Sequence, residues 1–318
     1  MTPPAASPLA GRLPVKRLLL VLGLAATGYA AILLVWGDSP KISFAVLWTK
    51  TGLQAAALCM LNYLLRGVRW RLWMAHYGRR FGWIEGLRFY LAGYAFTPTP
   101  GNIGEAARGL MLARQPLGTA QSVAVFGAER LADLICLLLL CLPAVGWLSQ
   151  QGHVQETLRA APFAVGGLLL VAALGFTLVC GIFYRYRSAL LRRLPWLGEA
   201  ARCLAVRPLA WLGLTLMAWA AQGVAVWLLC RDAGLDLPLL TATGFYALAM
   251  VAGALSALPA GLGGTEAVLA GLLVAQGATP ASALAITVLT RLLTLWLAVA
   301  LGCMALFYSA AIRKDLKL

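Results

Sequence analysis

Seven charged residues lie within or beside strongly apolar stretches of this chain: Glu105, Arg108, Glu129, Arg130, Asp133, Glu266 and Arg291. Glu105 and Arg130 are 25 residues apart, and so are Glu266 and Arg291. Guanidinium and carboxylate can hold each other, and guanidinium can equally hold a phosphate, where water is scarce. One chemistry open to them is structural: each Glu–Arg pair would pin a broken segment to the helix that follows it. The other is recognition, with Arg130 and Arg291 gripping an anionic headgroup. An arginine that releases its glutamate to take a phosphate would join the two. Glu129 and Asp133 are spaced i, i+4 and share a helix face; two extra carboxylates there would favour a cationic headgroup or carry a proton. An ionised group at the bilayer centre costs about 2.5–3.5 kcal/mol on insertion scales, so all of these residues are expected to face inward and pair.

Catalysis finds no footing. The sequence has no GxSxG, HExxH, P-loop or DxD motif, only two histidines (His76, His153), and seven cysteines without a CxxC pair. No catalytic residue, metal site or cofactor is expected, and the chain is not expected to be an enzyme. The cysteines read as small apolar residues in helix packing.

The elements that must position the charged residues follow from composition. The chain has 318 residues, 61% hydrophobic and 12% charged, with a mean hydropathy of +0.83. A soluble domain carries about 25% charged residues, so the bilayer is the expected solvent. Six apolar segments reach spanning length, at about 17–36, 44–65, 119–148, 161–183, 208–230 and 280–310. Two more are interrupted: 84–114 at Pro98, Pro100, Gly101 and Gly104, and 239–276 at Pro259, Gly261, Gly263 and Gly264. Proline removes a backbone donor and glycine weakens a helix, so both segments must break. Such a break survives at membrane depth only where protein or a watery cavity satisfies it. Glu105, Arg108 and Glu266 just follow the breaks. They are read as lying in the first turn of a short helix arm, where the dipole favours the glutamates and where free N–H groups with Arg108 could take a lipid phosphate.

The net charge of +15 would suggest nucleic acid in a soluble protein, but here the arginines lie in short stretches between apolar runs, so no nucleic acid is expected. If both interrupted segments are re-entrant hairpins, 20 of the 26 basic residues gather on one side, including the arginine-rich loop 184–207. The positive-inside rule makes that side the cytoplasm. The fold class is therefore an all-α polytopic membrane protein of six transmembrane helices and two re-entrant helical hairpins. It is placed in the bacterial inner membrane with both termini cytoplasmic. Arg66, Arg69, Arg71, Arg79 and Arg80, with Trp70, Trp73 and Trp83, read as a collar at the membrane interface.

A shift of 161 residues lays Pro98 on Pro259, Glu105 on Glu266 and Arg130 on Arg291. The chain divides into a tail (1–16), a first repeat (17–158), a second repeat (159–312) and a tail (313–318). Each repeat has two helices, a hairpin (84–114 or 239–276) and a helix (119–148 or 280–310). Three crossings per repeat invert the second relative to the first, as in many transporters with a site at the repeat interface.

The string PTPGNIGEAARGLML followed by AERLADL, and LPAGLGGTEAVLAGLL followed by LTRLL, resemble the membrane domain of bacterial lysylphosphatidylglycerol synthase/flippase proteins over roughly 13–312. The resemblance implies translocation of a lipid headgroup, with Glu105, Arg108, Glu129, Arg130, Asp133, Glu266 and Arg291 as the substrate-binding residues. These 318 residues hold no aminoacyl-transfer domain, so aminoacyl-lipid synthesis is not expected of them. The candidate cargoes are aminoacyl-phosphatidylglycerol, other phospholipids and polyprenyl-phosphate-linked sugars. The expected partners are membrane lipids, with a second copy or an envelope-biosynthesis protein compatible. The alternative is a non-transporting accessory subunit or scaffold for a cell-envelope glycolipid or lipid-modifying enzyme. The topology has a direct check: single cysteines at positions 195 and 155 should be labelled from the cytoplasmic and outer sides respectively, and the reverse pattern would remove the hairpin assignment.

Overall fold

In the computed structural model, which describes residues 45–109, 117–151, 185, 194–256 and 258–315, every regular element is helical. The expected helices at 17–36 and 161–183, the tail 1–16 and the stretch 110–116 lie outside the described residues. Among the described residues nine α-helices follow in chain order: α1 (Lys50–His76), α2 (Trp83–Gly93), α3 (Thr119–Gln150), α4 (Pro195–Ala205), α5 (Pro208–Asp232), α6 (Leu239–Leu255), α7 (Gly264–Ala275), α8 (Pro280–Arg291) and α9 (Leu297–Asp315). A π-helical stretch, Leu292–Trp296, joins α8 to α9 without a turn. Among the described residues three helices, Thr119–Gln150, Pro208–Asp232 and Pro280–Ser309, are long and apolar enough to cross a membrane.

Helix α1 differs from the expected segment 44–65. It runs on for three more turns through Arg66, Arg69 and Arg71. Arginine is a good helix former, and Arg66 and Arg69 turn inward to carboxylates, so their charge does not end the helix. The loop 184–207 also differs, because it contains α4, started by Pro195 at the first helical turn, where a missing N–H costs nothing. Helix α4 lies along α3 with Ala200 and Cys203 buried. The Tyr77 hydroxyl, at the end of α1, donates to Glu199 on it at 3.2 Å.

The packing of the remaining helices obeys the 161-residue register. Helix α1 lies against α5, and the two run antiparallel: Asn62 donates to the Ala218 carbonyl at 2.8 Å, and further along α1 Arg69 donates to the Thr215 hydroxyl, earlier in α5, at 2.9 Å. Helix α6, the first arm of the second broken segment, packs on α3. Helix α2, the first arm of the first, packs on α9. Each broken segment thus rests on the long helix of the other half of the chain. The contact is close at glycine: a Cβ on Gly302 of α9 would stand 2.4 Å from the Ala95 nitrogen just past α2, and one on Gly244 of α6 would stand 2.7 Å from the Ala144 nitrogen of α3. The breaks themselves also meet, Pro100–Arg108 against Pro259–Gly261.

This exchange of packing partners can be tested at single positions. Gly302→Ala puts a methyl group into backbone and should lower the thermal midpoint of the purified protein, an overpacking cost of about 1–3 kcal/mol. Gly271→Ala, which meets nothing within 4 Å, should leave it unchanged or raised. Equal midpoints would contradict the α2–α9 contact.

Candidate functional site

The first break is built by its prolines and threonines. After α2 the chain tightens into a 3-10 turn, Tyr94–Phe96, then passes through Pro98 with Thr99 extended (φ −88°, ψ 150°). It resumes as a 3-10 helix, Pro100–Arg108, with Pro100 in its first turn and Gly101 and Gly104 within it. The Thr99 hydroxyl accepts from the Gly104 nitrogen at 2.9 Å and donates to the Phe96 carbonyl at 2.8 Å, standing in for lost helical bonds. This arm differs from the expected α-helix, and no acidic residue lies in its first turn. Glu105 is therefore not placed by a helix dipole. The Thr97 hydroxyl donates to it at 2.8 Å, and Arg108 and Arg130 flank it.

Glu105 belongs to a buried network of four guanidinium groups and three carboxylates. Arg108 pairs with Glu105 and donates to both oxygens of Glu129, at 3.1 and 3.0 Å. Asp133 receives Arg66 and Arg69, each at 2.7 Å, and the Trp219 indole N–H at 3.2 Å. Arg130 stands 3.3 Å from Glu105 and 3.5 Å from Asp133. The network ties α1, α3 and the 3-10 arm of one half to Thr215 and Trp219 on α5 of the other. Arg108 reaches Glu129 past Gly93, where a Cβ would stand 2.0 Å from its Nε. Its guanidinium carbon also lies 4.4 Å from the centre of the Tyr90 ring, a cation–π contact.

In the second break the chain turns through Ala260 (φ 53°), Gly261 (φ 67°) and Gly263 (φ 86°). Pro259 opens a single 3-10 turn, and Gly264 starts α7. Here the sequence expectation for the glutamate holds, since Glu266 lies in the first turn of α7 and accepts from the Gly263 nitrogen at 2.7 Å. Arg291 donates to Glu266 at 2.6 Å and to the Ala260 carbonyl at 2.8 Å. A non-glycine residue at positive φ costs energy, and the arginine holds that strained carbonyl in place.

Both 25-residue separations are thus closed by ion pairs, but the pairs differ. Arg291 is buried and pinned by bonds of 2.6 and 2.8 Å, whereas the Arg130 side chain is 31% exposed and its contacts are longer, 3.3 and 3.5 Å. A cavity of about 80 Å³ lies between the halves. Of the seven sequence-predicted residues, Glu105, Arg130 and Arg291 line it. Arg108, Glu129, Asp133 and Glu266 are absent from its wall. Arg108 is 1% exposed between two carboxylates, so it offers no free cation to a phosphate, contrary to expectation. The carboxylates Glu129 and Asp133 are likewise taken up by arginine, which removes the reading that they attract a cationic headgroup.

The sequence reasoning missed Tyr63, Arg66, Tyr94, Trp219, Gln222 and Tyr246, which also line the cavity. The interfacial collar does not form as expected: Arg66, Arg69, Trp70 and Trp73 are buried, while Trp83 stays 65% exposed against Arg71. The available signal was periodicity. Asn62, Tyr63, Arg66, Arg69, Trp70 and Trp73 recur at helical spacing, which marks one buried face.

The family model described as lysylphosphatidylglycerol synthase TM region matches residues 17–302 of the chain. Comparison with curated proteins finds no match.

Removing one member of a buried, paired cluster strands its partner, at a cost of about 3–5 kcal/mol. Asp133→Asn leaves Arg66 and Arg69 without their shared anion and should lower the unfolding midpoint in detergent far more than Arg130→Gln. A ranking in the other order would show that Asp133 is not the anchor of the network.

Proposed function

Because the chain belongs to the lysylphosphatidylglycerol synthase TM-region family and is an integral membrane protein, we propose that it is a lipid flippase-like transporter rather than an enzyme. Its cargo is an anionic or phosphate-bearing lipid: aminoacyl-phosphatidylglycerol, another phospholipid or a polyprenyl-phosphate-linked sugar. It works in the bacterial inner membrane as six crossings with two re-entrant hairpins in an inverted repeat, both termini cytoplasmic. The antiparallel contact of α1 with α5 and the packed arms α6 and α7 support that arrangement.

The observation that carries the proposal is the cavity at the join of the two broken-helix halves, with Arg66, Arg130 and Arg291 in its wall against the single carboxylate of Glu105. Guanidinium groups in such a setting favour a phosphate, which accepts two parallel N–H bonds. A polar headgroup would pass there while its acyl chains stay in lipid. The inverted halves offer a means of exposing the site to each side in turn.

Reconstituted proteoliposomes with a headgroup-labelled phospholipid test this. A charge-assisted hydrogen bond contributes about 1.5–3 kcal/mol, which is roughly 10- to 100-fold in rate. Arg130→Gln should slow flipping by about that much, and Arg202→Gln, on the exposed face of α4 with 68% of the side chain accessible, should not. Wild-type flipping no faster than that of empty liposomes, with the protein purifying in a fixed complex, would favour the accessory-subunit reading instead.

A further inference from the structure

We infer that the cavity takes a ligand bearing one negative charge, a phosphodiester headgroup, and that Arg130 is the residue that holds it. The inference deepens the transport reading and rests on it for the ligand being a lipid. Among the described residues, the central network sets Arg66, Arg69, Arg108 and Arg130 against Glu105, Glu129 and Asp133. Four cations against three anions leave one positive charge. The Arg291–Glu266 pair is neutral and adds nothing.

The surplus charge can be assigned to one side chain. Arg66, Arg69 and Arg108 each reach a carboxylate at 3.0 Å or less, and Arg291 reaches one at 2.6 Å. Besides the Phe126 ring, 5.3 Å from its guanidinium carbon, Arg130 approaches among the described residues only the carboxylates Glu105 and Asp133, at 3.3 and 3.5 Å, and those oxygens already receive shorter bonds from Arg108 and Arg66. Its Nε has no hydrogen-bond partner, and neither does the buried Nε of Arg66, which also lines the cavity. The 161-residue register makes Arg130 the counterpart of Arg291, so one member of the related pair locks a hairpin and the other is left for a ligand.

Neutrality then selects the ligand. Uncompensated charge away from water is costly. A monoanion brings the cluster to zero, a dianion would leave a net negative charge, and an uncharged headgroup would leave the positive one. The volume of about 80 Å³ admits several waters or one phosphate-sized group. A further donor is at hand in Gln222, whose Oε1 takes the Tyr246 hydroxyl proton at 2.9 Å and so commits the oxygen, leaving the amide N–H groups.

The test uses the purified full-length chain in detergent and soluble short-chain lipids at pH 8: dihexanoyl-phosphatidylglycerol, a monoanionic diester, and dihexanoyl-phosphatidic acid, a monoester close to doubly charged. Affinities are read by ligand-induced thermal shift. Wild type should prefer the diester by about tenfold. Arg130→Gln, which removes the group that holds the phosphate, should weaken binding of the diester at least tenfold, and Arg130→Lys should keep both the affinity and the preference. Glu129→Gln, which adds one net positive charge away from the cavity wall, should move the preference toward the monoester. Tighter or equal binding of the monoester by wild type, or a diester affinity unchanged in Arg130→Gln, would overturn the inference. Selective binding without flipping in liposomes would remove the transport reading and leave this one, whereas flipping without charge preference would remove this one alone.

Discussion

A guanidinium group surrounded by apolar helices must find an anion, and this requirement organises the molecule. Asp133 sits at the centre of the solution. It takes one arginine a turn along α1 from the other, Arg66 and Arg69, and a tryptophan from α5. With Asp133 on α3, a single carboxylate fixes the relative rotation of three helices. The faces those helices turn away from it are then free to be apolar. Leu131, Leu134, Ile135, Leu138 and Leu142 of α3 are exposed, as a lipid-facing surface should be.

The two breaks solve one problem by different means. Interrupting a helix among apolar neighbours frees backbone groups that need partners. In the first half the proline-flanked Thr99 supplies them, while Thr97 donates to the Glu105 carboxylate instead. In the second half an arginine does it, reaching a carbonyl that positive φ angles have turned outward. The carboxylates Glu129 and Asp133 have threonines, Thr290 and Thr294, as their counterparts in the second half. There the hydroxyl of Thr294 donates to the Thr290 carbonyl, and the π-helical stretch presents the Leu293 carbonyl to the Tyr63 hydroxyl at 2.6 Å. Charge in one half is matched by hydroxyl and carbonyl groups in the other, which is why the cavity between them is not symmetric.

Much of this was legible in the sequence, for identifiable reasons. Charged residues are so few that a repeated Glu-to-Arg spacing of 25 stands out, and both pairs form. Proline and glycine mark the breaks because their effect is local. What the sequence concealed was non-local. The inward turn of Arg66 and Arg69 depends on a carboxylate more than 60 positions away. By composition alone, arginines among tryptophans look like an interfacial belt. Arg108 misled for the same reason: its spacing matched an anion site, but Glu129 had already claimed it. The difference between Arg130 and Arg291 was likewise invisible, since only the neighbours decide which of two equivalent residues is saturated.

The exchange of packing partners between the halves has a consequence for how the chain is made. Helix α2 leans on α9, the last helix described, so its supporting surface is synthesised long after it. At about 5–20 residues per second, the roughly 200 residues between them take about 10–40 s to translate. Until Pro208–Asp232 is made, Asp133 and its arginines lack Thr215 and Trp219, and until Leu297–Asp315 is made α2 lacks its supporting helix. Until the second half arrives, the charged side chains of the first half have only one another, Arg66, Arg69 and Arg108 against Asp133, Glu129 and Glu105.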